Sequence, residues 1–576
     1  MRNLFLAGLS AAAIAASLGL AACATDGGGA AKTASASAKA SSTGPMVIAT
    51  RRVNEGQYRN TVADLFGADI QVNARFEPEL RSHGLLAIGA GKLSITTGGF
   101  EQYYAVGRSI SDQVLDAKRR DKFATCKPAD LKAADDACTA AFVKEHGRKL
   151  FRRPLDDAEI ASRVALARSG ATQAKDYYAG LKLALTSLLT SPDFLFRVEV
   201  AERDPSNRRA LRLDGYTKAQ RLSYLLWNTT PDEELLQAAA SGELHTAQGV
   251  DKQVARLMAS PRMESGVRAF FTDVMQLELF ETVTKDAGVY PKYSQSVIDS
   301  AREQTLRTIV DLTLTRKGDY RDIFVTPNTF VDRTLASVYR LPYLGEGATW
   351  RPYSYPASAD QAGILTQVTF LSLHGHPGRT SPTKRGVALN EIFLCQETPL
   401  PPDDVDFTIL NETENPLLKT VRARLLAHAT EESCAGCHNM VDPIGLALER
   451  FDSIGQPRLI ENGELIDVTA ELDGVKFEGA KGIGPTLRTN PKIPACVVRN
   501  VYAYGVGRDP VNDWEVAYLE GQTKAFTSGG HVMPDMMSRI AKSPEFFRVV
   551  LPNAEAPKPA KTNVASTPSE AAKGKS

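Results

Sequence analysis

The sequence predicts a mainly α, multi-domain helical protein. Apolar residues recur at helical spacing through most of its 576 residues. Ser, Asp and Pro stand where helix starts need them, and only one short stretch carries a strong hairpin signal. Between the low-complexity ends lie about 500 residues, more than one hydrophobic core spans, so several domains are expected.

Tyr58, Val62, Leu65 and Phe66 recur at the spacing of one helix face. Phe151-Arg152-Arg153-Pro154-Leu155-Asp156-Asp157 reads as a boundary: Pro154 ends one element, and the two acids suit the first turn of the next. Residues 181–189 are apolar on most faces and predict a central helix. Residues 213–283 form a further helical block. Tyr216, Leu222, Leu225 and Leu226 are its core face, and residues 227–232 break it. Residues 296–340 read as helical throughout, residues 341–356 as a Pro- and Tyr-rich loop, and residues 399–402 as an extended spacer. Leu459-Ile460 and Leu465-Ile466 flank Asn462-Gly463, a small β-hairpin. Ser191-Pro192-Asp193-Phe194 and Ser543-Pro544-Glu545-Phe546 share one form, with looser echoes at Ser260-Pro261 and Ser381-Pro382. Stacked units or reused capping chemistry would both produce this, and we favour capping. The expected ranges are helical domains over 46–125, 126–205 and 206–345, a motif-bearing domain over 357–470 and a C-terminal helical domain over 471–551.

The ends are targeting and tether. Arg2, an apolar run over residues 4–22, and Leu20-Ala21-Ala22-Cys23 resemble a bacterial lipobox. That resemblance implies a signal peptide over 1–22, cleavage before Cys23 and lipidation of Cys23; an ordinary signal peptide is the alternative. Ala24-Thr25 place no acid beside Cys23, which resembles an outer-membrane address. Residues 23–45 are a flexible tether and residues 552–576 a disordered tail. No second apolar run approaches the ~20 residues of a membrane span, so the lipid is the one expected membrane contact. The net charge of +1 creates no field favouring nucleic acid.

Seven cysteines sort by context. Cys23 is the lipid site. Cys434-Ala435-Gly436-Cys437-His438 is a Cys-x-x-Cys-His run, the attachment pattern of c-type haem. Two thiols about one helical turn apart reach both vinyl groups of a porphyrin, and the adjacent His is held under the iron. Leu418, Val421 and Leu425 before the motif, and Ile444, Leu448 and Phe451 after it, are candidates to pack on the ring. Small Ala435 and Gly436 let its edge approach. A thioredoxin-like pair lacks βαβ context, and a zinc site lacks further paired ligands. A single motif also argues against a two-haem relay. Cys126, Cys138, Cys395 and Cys496 remain, an even number that suggests two disulfides in an oxidising compartment. Proximity pairs Cys126 with Cys138, and elimination pairs Cys395 with Cys496; four cysteines allow three connectivities, and buried thiols are the alternative.

The landmarks then fall in series. They are Arg51-Arg52-Val53 with residues 58–65; Phe151 to Leu155; Arg221 to Trp227 with Pro231-Asp232; Thr380-Ser381-Pro382 with Lys384-Arg385-Gly386, the Cys434–His438 run, Asp442-Pro443-Ile444-Gly445 and Phe451-Asp452; and Cys496 with Tyr504 to Arg508. Together they resemble a family of large exported proteins, abundant in planctomycetes and also found in proteobacteria. Its members are built from five serial uncharacterised domains with a cytochrome c-like haem region near the C-terminus. The resemblance spans residues 50–550 and implies one covalent haem c. It also favours His376 as the second iron ligand, since some relatives carry a His there; Met533 and His374 follow, and an open, five-coordinate iron is the remaining option. Met440 lies too close to His438 to reach the opposite face. The function expected is an exported monohaem c-type cytochrome lipoprotein of the outer membrane, facing periplasm or cell surface. It would exchange electrons with a redox partner protein or an unknown substrate, which leaves room for a haem-dependent oxidoreductase. The alternative is an outer-membrane scaffold whose haem is structural or sensory. No hydrolase elbow or nucleotide loop stands out.

Overall fold

A computed structural model describes residues 45–551, apart from 344, 347, 348, 362, 400–407, 413, 414 and 431. The expected signal peptide, Cys23, the tether to residue 44, the tail from 552 and most of the 399–402 spacer lie outside the described residues. Helix accounts for 57% of the structure and strand for 10%, so the fold is mainly α.

Local chemistry sets the helix ends. Asn54 starts Glu55–Phe66 with a reciprocal cap to Gln57. That helix buries Tyr58, Val62 and Phe66, while Leu65 stays half-buried. The helix Asp136–Phe151 ends on left-handed Arg152, and Asp156 caps Asp157–Ala174 with Glu159. The helix Tyr177–Leu189 packs between Thr97–Val114 and Asp157–Ala174, with Leu181, Leu185, Leu188 and Leu189 fully buried. Asp232 caps Glu233–Ala240 after the break that follows Gly215–Leu226. The Ser-Pro signature is capping. Ser191, Ser381 and Ser543 each accept a backbone N–H of the short or long helix they open, and Ser260 accepts from Arg262 N.

Strands reach further than the sequence predicts. β1 (Met46–Arg52), β2 (Phe196–Asp204) and β3 (Asn207–Leu213) form an antiparallel sheet in that order. Residues 46–52 are therefore not helical, and strand is not confined to the motif region. β2 alternates apolar and polar, but it faces the other way from a normal amphipathic strand: Arg197, Glu199 and Ala201 are buried, and Phe196, Val198 and Val200 are only partly so. Ion pairing makes that possible. Glu199 lies between Arg51 and Arg221, both buried. The 296–340 range is not helical throughout either. After Gln295–Val310 it passes through β4 (Asn328–Val331), which pairs with β5 (Arg351–Ser354) inside the expected loop. Beneath β4 lies a buried side-chain network in which Gln367 and Thr308 meet Thr329. The hairpin is where Asn462-Gly463 predicts it. β6 (Ile460–Glu461) pairs with β7 (Glu464–Leu465), and φ is +48° at Asn462 and +82° at Gly463. A second hairpin, β8 (Thr469–Leu472) with β9 (Val475–Glu478), turns on Asp473-Gly474 in the same conformation.

One hydrophobic cluster gathers the N-terminal residues Val53 to Leu195. A larger one takes in Ile48, Leu85 and Ile88 with residues from Ala201 to Phe547, and draws on the 206–345, 357–470 and 471–551 ranges alike. The structure joins Cys126 to Cys138 and Cys395 to Cys496, with Cα–Cα distances of 5.2 and 5.4 Å. The second bond ties the end of the helix Pro382–Phe393 to the helix Lys492–Val506.

Candidate functional site

The Cys434–His438 run lies on the helix Glu432–Leu446, which packs lengthwise against Pro382–Phe393. Two glycines, one per helix, set the distance. A Cβ on Gly386 would stand 1.9 Å from the Val441 carbonyl oxygen, and one on Gly445 would stand 1.9 Å from that of Pro382. Only backbone without a side chain fits at either point.

This pairing positions the histidine. His438 Nδ1 donates to Asp442 Oδ2 at 2.7 Å, one turn on. Thr383 on the facing helix donates to Asp442 Oδ1, also at 2.7 Å. The carboxylate is thereby held by both helices, and it holds the ring in one orientation, leaving Nε2 as the nitrogen available for a ligand bond. The same hydrogen bond raises the pKa of His438. The His428 ring meets the His438 ring edge-on at 4.9 Å, a neighbour the sequence did not single out.

Cys437 and His438 open on a cavity of about 300 Å³. Val387, Leu410, Val421, Leu425 and Val441 give it apolar walls, and Arg379 and Lys384 stand at its edge. His376 lines the same cavity from the loop that precedes Ser381. That loop is pinned. Lys285 Nζ donates to the carbonyls of Ser372 (2.9 Å) and His376 (3.0 Å), and Ser453 Oγ donates to that of Arg379 (2.6 Å). Burial first, then the cations Arg379, Lys384 and Lys285, push His376 down to about 4, so its imidazole is neutral near pH 7 with a lone pair to offer. Burial likewise drives Lys285 down to about 8.

The other candidate ligands, and the ring contacts expected after the motif, lie elsewhere. Met533, Met536 and Met537 are fully buried in the main core on the helix Met533–Lys542 and do not line this cavity. His374 is buried against Phe370 at 4.8 Å, with its pKa lowered to about 3 by burial. Ile444, Leu448 and Phe451 also belong to the main core; a strong apolar face after the motif served packing between helices. Met440 faces a separate depression beside Asn390 and Glu471.

The residues present fit a covalently attached porphyrin. Cys434 and Cys437 stand one turn apart on a helix. A Cβ on Gly436 would meet no atom within 4 Å, so space is open beside the motif. An oriented imidazole, apolar walls and two edge cations suited to propionate carboxylates complete the set. Among the described residues, no helix is long and apolar enough to cross a membrane.

No curated protein and no solved structure matches the chain. Four family profiles do, in series, each described as a protein of unknown function. They are PSD3 (DUF1587) over 51–116, PSD5 (DUF1595) over 138–199, PSD4 (DUF1592) over 213–341 and PSCyt3 (DUF1588) over 361–461. The PSCyt3 range contains the motif helix and His376, so the chain carries four serial domains of the planctomycete-type families, and the one holding this cavity is named as cytochrome c-like.

Proposed function

We propose that Cys434 and Cys437 bind one haem c through thioethers, that His438 ligates its iron, and that the protein is an exported c-type cytochrome. The observation that carries this reading is the meeting of Cys437, His438 and a neutral His376 around one apolar cavity. When bound, the haem supplies one-electron redox chemistry. The chain's own residues do the rest. Asp442 fixes the His438 ring, Thr383 fixes Asp442, and the apolar walls exclude water. Lys285 holds the His376 loop at the cavity. The partner is a redox protein or an oxidisable substrate, and residues 471–551, with Cys496 and the Tyr504–Arg508 landmark, form the fifth domain. The test is direct: protein matured in a host with c-type assembly keeps one haem per chain after denaturation. A chain that emerges without haem from such a host overturns the reading.

We further propose that His376 is the second residue that would hold the iron. A pair of imidazole ligands would lower the potential relative to a His–Met pair, which favours electron transfer over oxygen chemistry. His376→Ala is expected to convert a low-spin spectrum to a high-spin one. A low-spin wild type with an unchanged variant excludes His376, and a high-spin wild type points to an open, reactive iron.

Localisation forms part of the same proposal: a lipid on Cys23 holds the mature chain at the outer membrane. Cys23→Ser is expected to move the protein from the membrane fraction to the soluble periplasmic one. Unchanged membrane partition in that variant counts against the anchor.

A further inference from the structure

Arg197 on β2 is a buried cation without a counter-ion. It is 6% exposed, and its guanidinium lies over the Tyr224 ring, 4.1 Å from the centroid. The carboxylate on the same face of the strand is already taken: Glu199 accepts from Arg221 with both oxygens and from Arg51 as well. Arg52 is held by Glu77 and by the carbonyls of Ser94 and Pro78. No described residue forms an ion pair with Arg197, and its Nε is buried without a partner.

The guanidinium lines a small cavity together with Arg51, Arg52, Glu79 and Tyr504. Tyr504, from the helix Lys492–Val506, is buried beside it. Around Arg197 itself, Arg51 and Arg221 share the one carboxylate of Glu199, so three guanidinium groups meet one carboxylate. Burial raises the pKa of Glu79, the carboxylate that lines the same cavity. Burial and Arg51 lower Arg197 only to about 9, so it stays charged at neutral pH.

We propose that this cavity is an anion site and that its occupant is a single chloride, bound by Arg197 and the Tyr504 hydroxyl. The cavity measures about 20 Å³, and one water-sized sphere needs roughly 10–15 Å³. A water would satisfy hydrogen bonds and leave the charge unbalanced. The site lies where the N-terminal sheet meets the helix Lys492–Val506, a junction also made by Arg51 donating to the Gly505 carbonyl at 3.2 Å. Chloride there links the two ends of the chain.

The test is thermal unfolding of the whole protein at fixed ionic strength, with chloride or bromide exchanged for gluconate. Chloride and bromide should raise the melting temperature saturably, and gluconate should not. Tyr504→Phe should raise the half-saturating chloride concentration roughly tenfold, as loss of one charge-assisted hydrogen bond requires. Arg197→Met should remove the chloride response. A bromide-soaked crystal should give an anomalous peak beside Arg197. Identical curves in chloride and gluconate for the wild type overturn the proposal, as does a chloride response that survives in Arg197→Met. Should that variant fail to fold, an unshifted Tyr504→Phe or the absence of the bromide peak is equally decisive against it.

Discussion

Replacing Cys434 and Cys437 together by Ala is expected to abolish haem retention in the denatured protein, a loss of essentially the whole covalent signal. Each thiol supplies one thioether, and both stand on one helix a turn apart. His438 alone cannot hold a porphyrin through denaturation, because its bond to iron is lost with the fold. Each single Cys variant keeps one thioether and should still stain, with its reduced spectrum displaced from that of the wild type. His438→Ala separates attachment from ligation. It keeps both thiols, so the covalent signal should persist while the low-spin spectrum is lost. The measurement is haem stain on a denaturing gel with the pyridine spectrum of the same samples. Covalent haem that survives in the double variant would place the attachment elsewhere and remove the basis for reading the cavity as its site.

The motif was legible because its chemistry is local. Five consecutive residues bring two thiols and an imidazole together whatever the surrounding fold. His376 was legible only through resemblance, and the structure adds the physical part: a pinned loop, a shared cavity and a neutral ring. Asp442, Thr383 and His428 escaped because their meaning depends on which helices face each other. A signal for Asp442 existed, since an acid four residues after a helical His falls on the same face. The ring contacts assigned to Ile444, Leu448 and Phe451 failed for a related reason: apolar periodicity marks a buried face without naming what covers it. The helices and caps followed from near neighbours. The β1–β2–β3 sheet did not, because β1 and β2 are separated by more than a domain's length of helix and β2 buries its charged side. The Asp473-Gly474 hairpin was within reach of the rule that found Asn462-Gly463, since Leu472 and Val475 flank its turn.

Glu449→Ala is expected to destabilise the motif-bearing region by about 3–5 kcal/mol, because it strands a buried guanidinium. Glu449 and Arg385 are both fully buried. Oε1 accepts from Arg385 at 3.0 Å, and Oε2 accepts from Thr380 at 2.7 Å and from Arg458. Arg385 also donates to the carbonyls of Leu448 (2.9 Å), Phe451 (3.2 Å) and Asp452 (2.9 Å). One buried pair therefore joins the start of Pro382–Phe393 to the chain that leaves the motif helix, and it fixes the segment between His376 and the helix that faces His438. Removing the carboxylate takes away the charge that balances Arg385 and leaves that cation buried. Removing both charges leaves no such orphan. Arg385→Met with Glu449→Leu should cost much less than Glu449→Ala, although the three carbonyls lose their donor. Chemical denaturation of the two variants and the wild type measures the difference. Glu449→Ala within about 1 kcal/mol of the wild type would mean that the pair is solvated in solution and does not hold the two helices together. A double variant as unstable as Glu449→Ala would mean that the hydrogen bonds to the carbonyls, and not the ion pair, carry the junction.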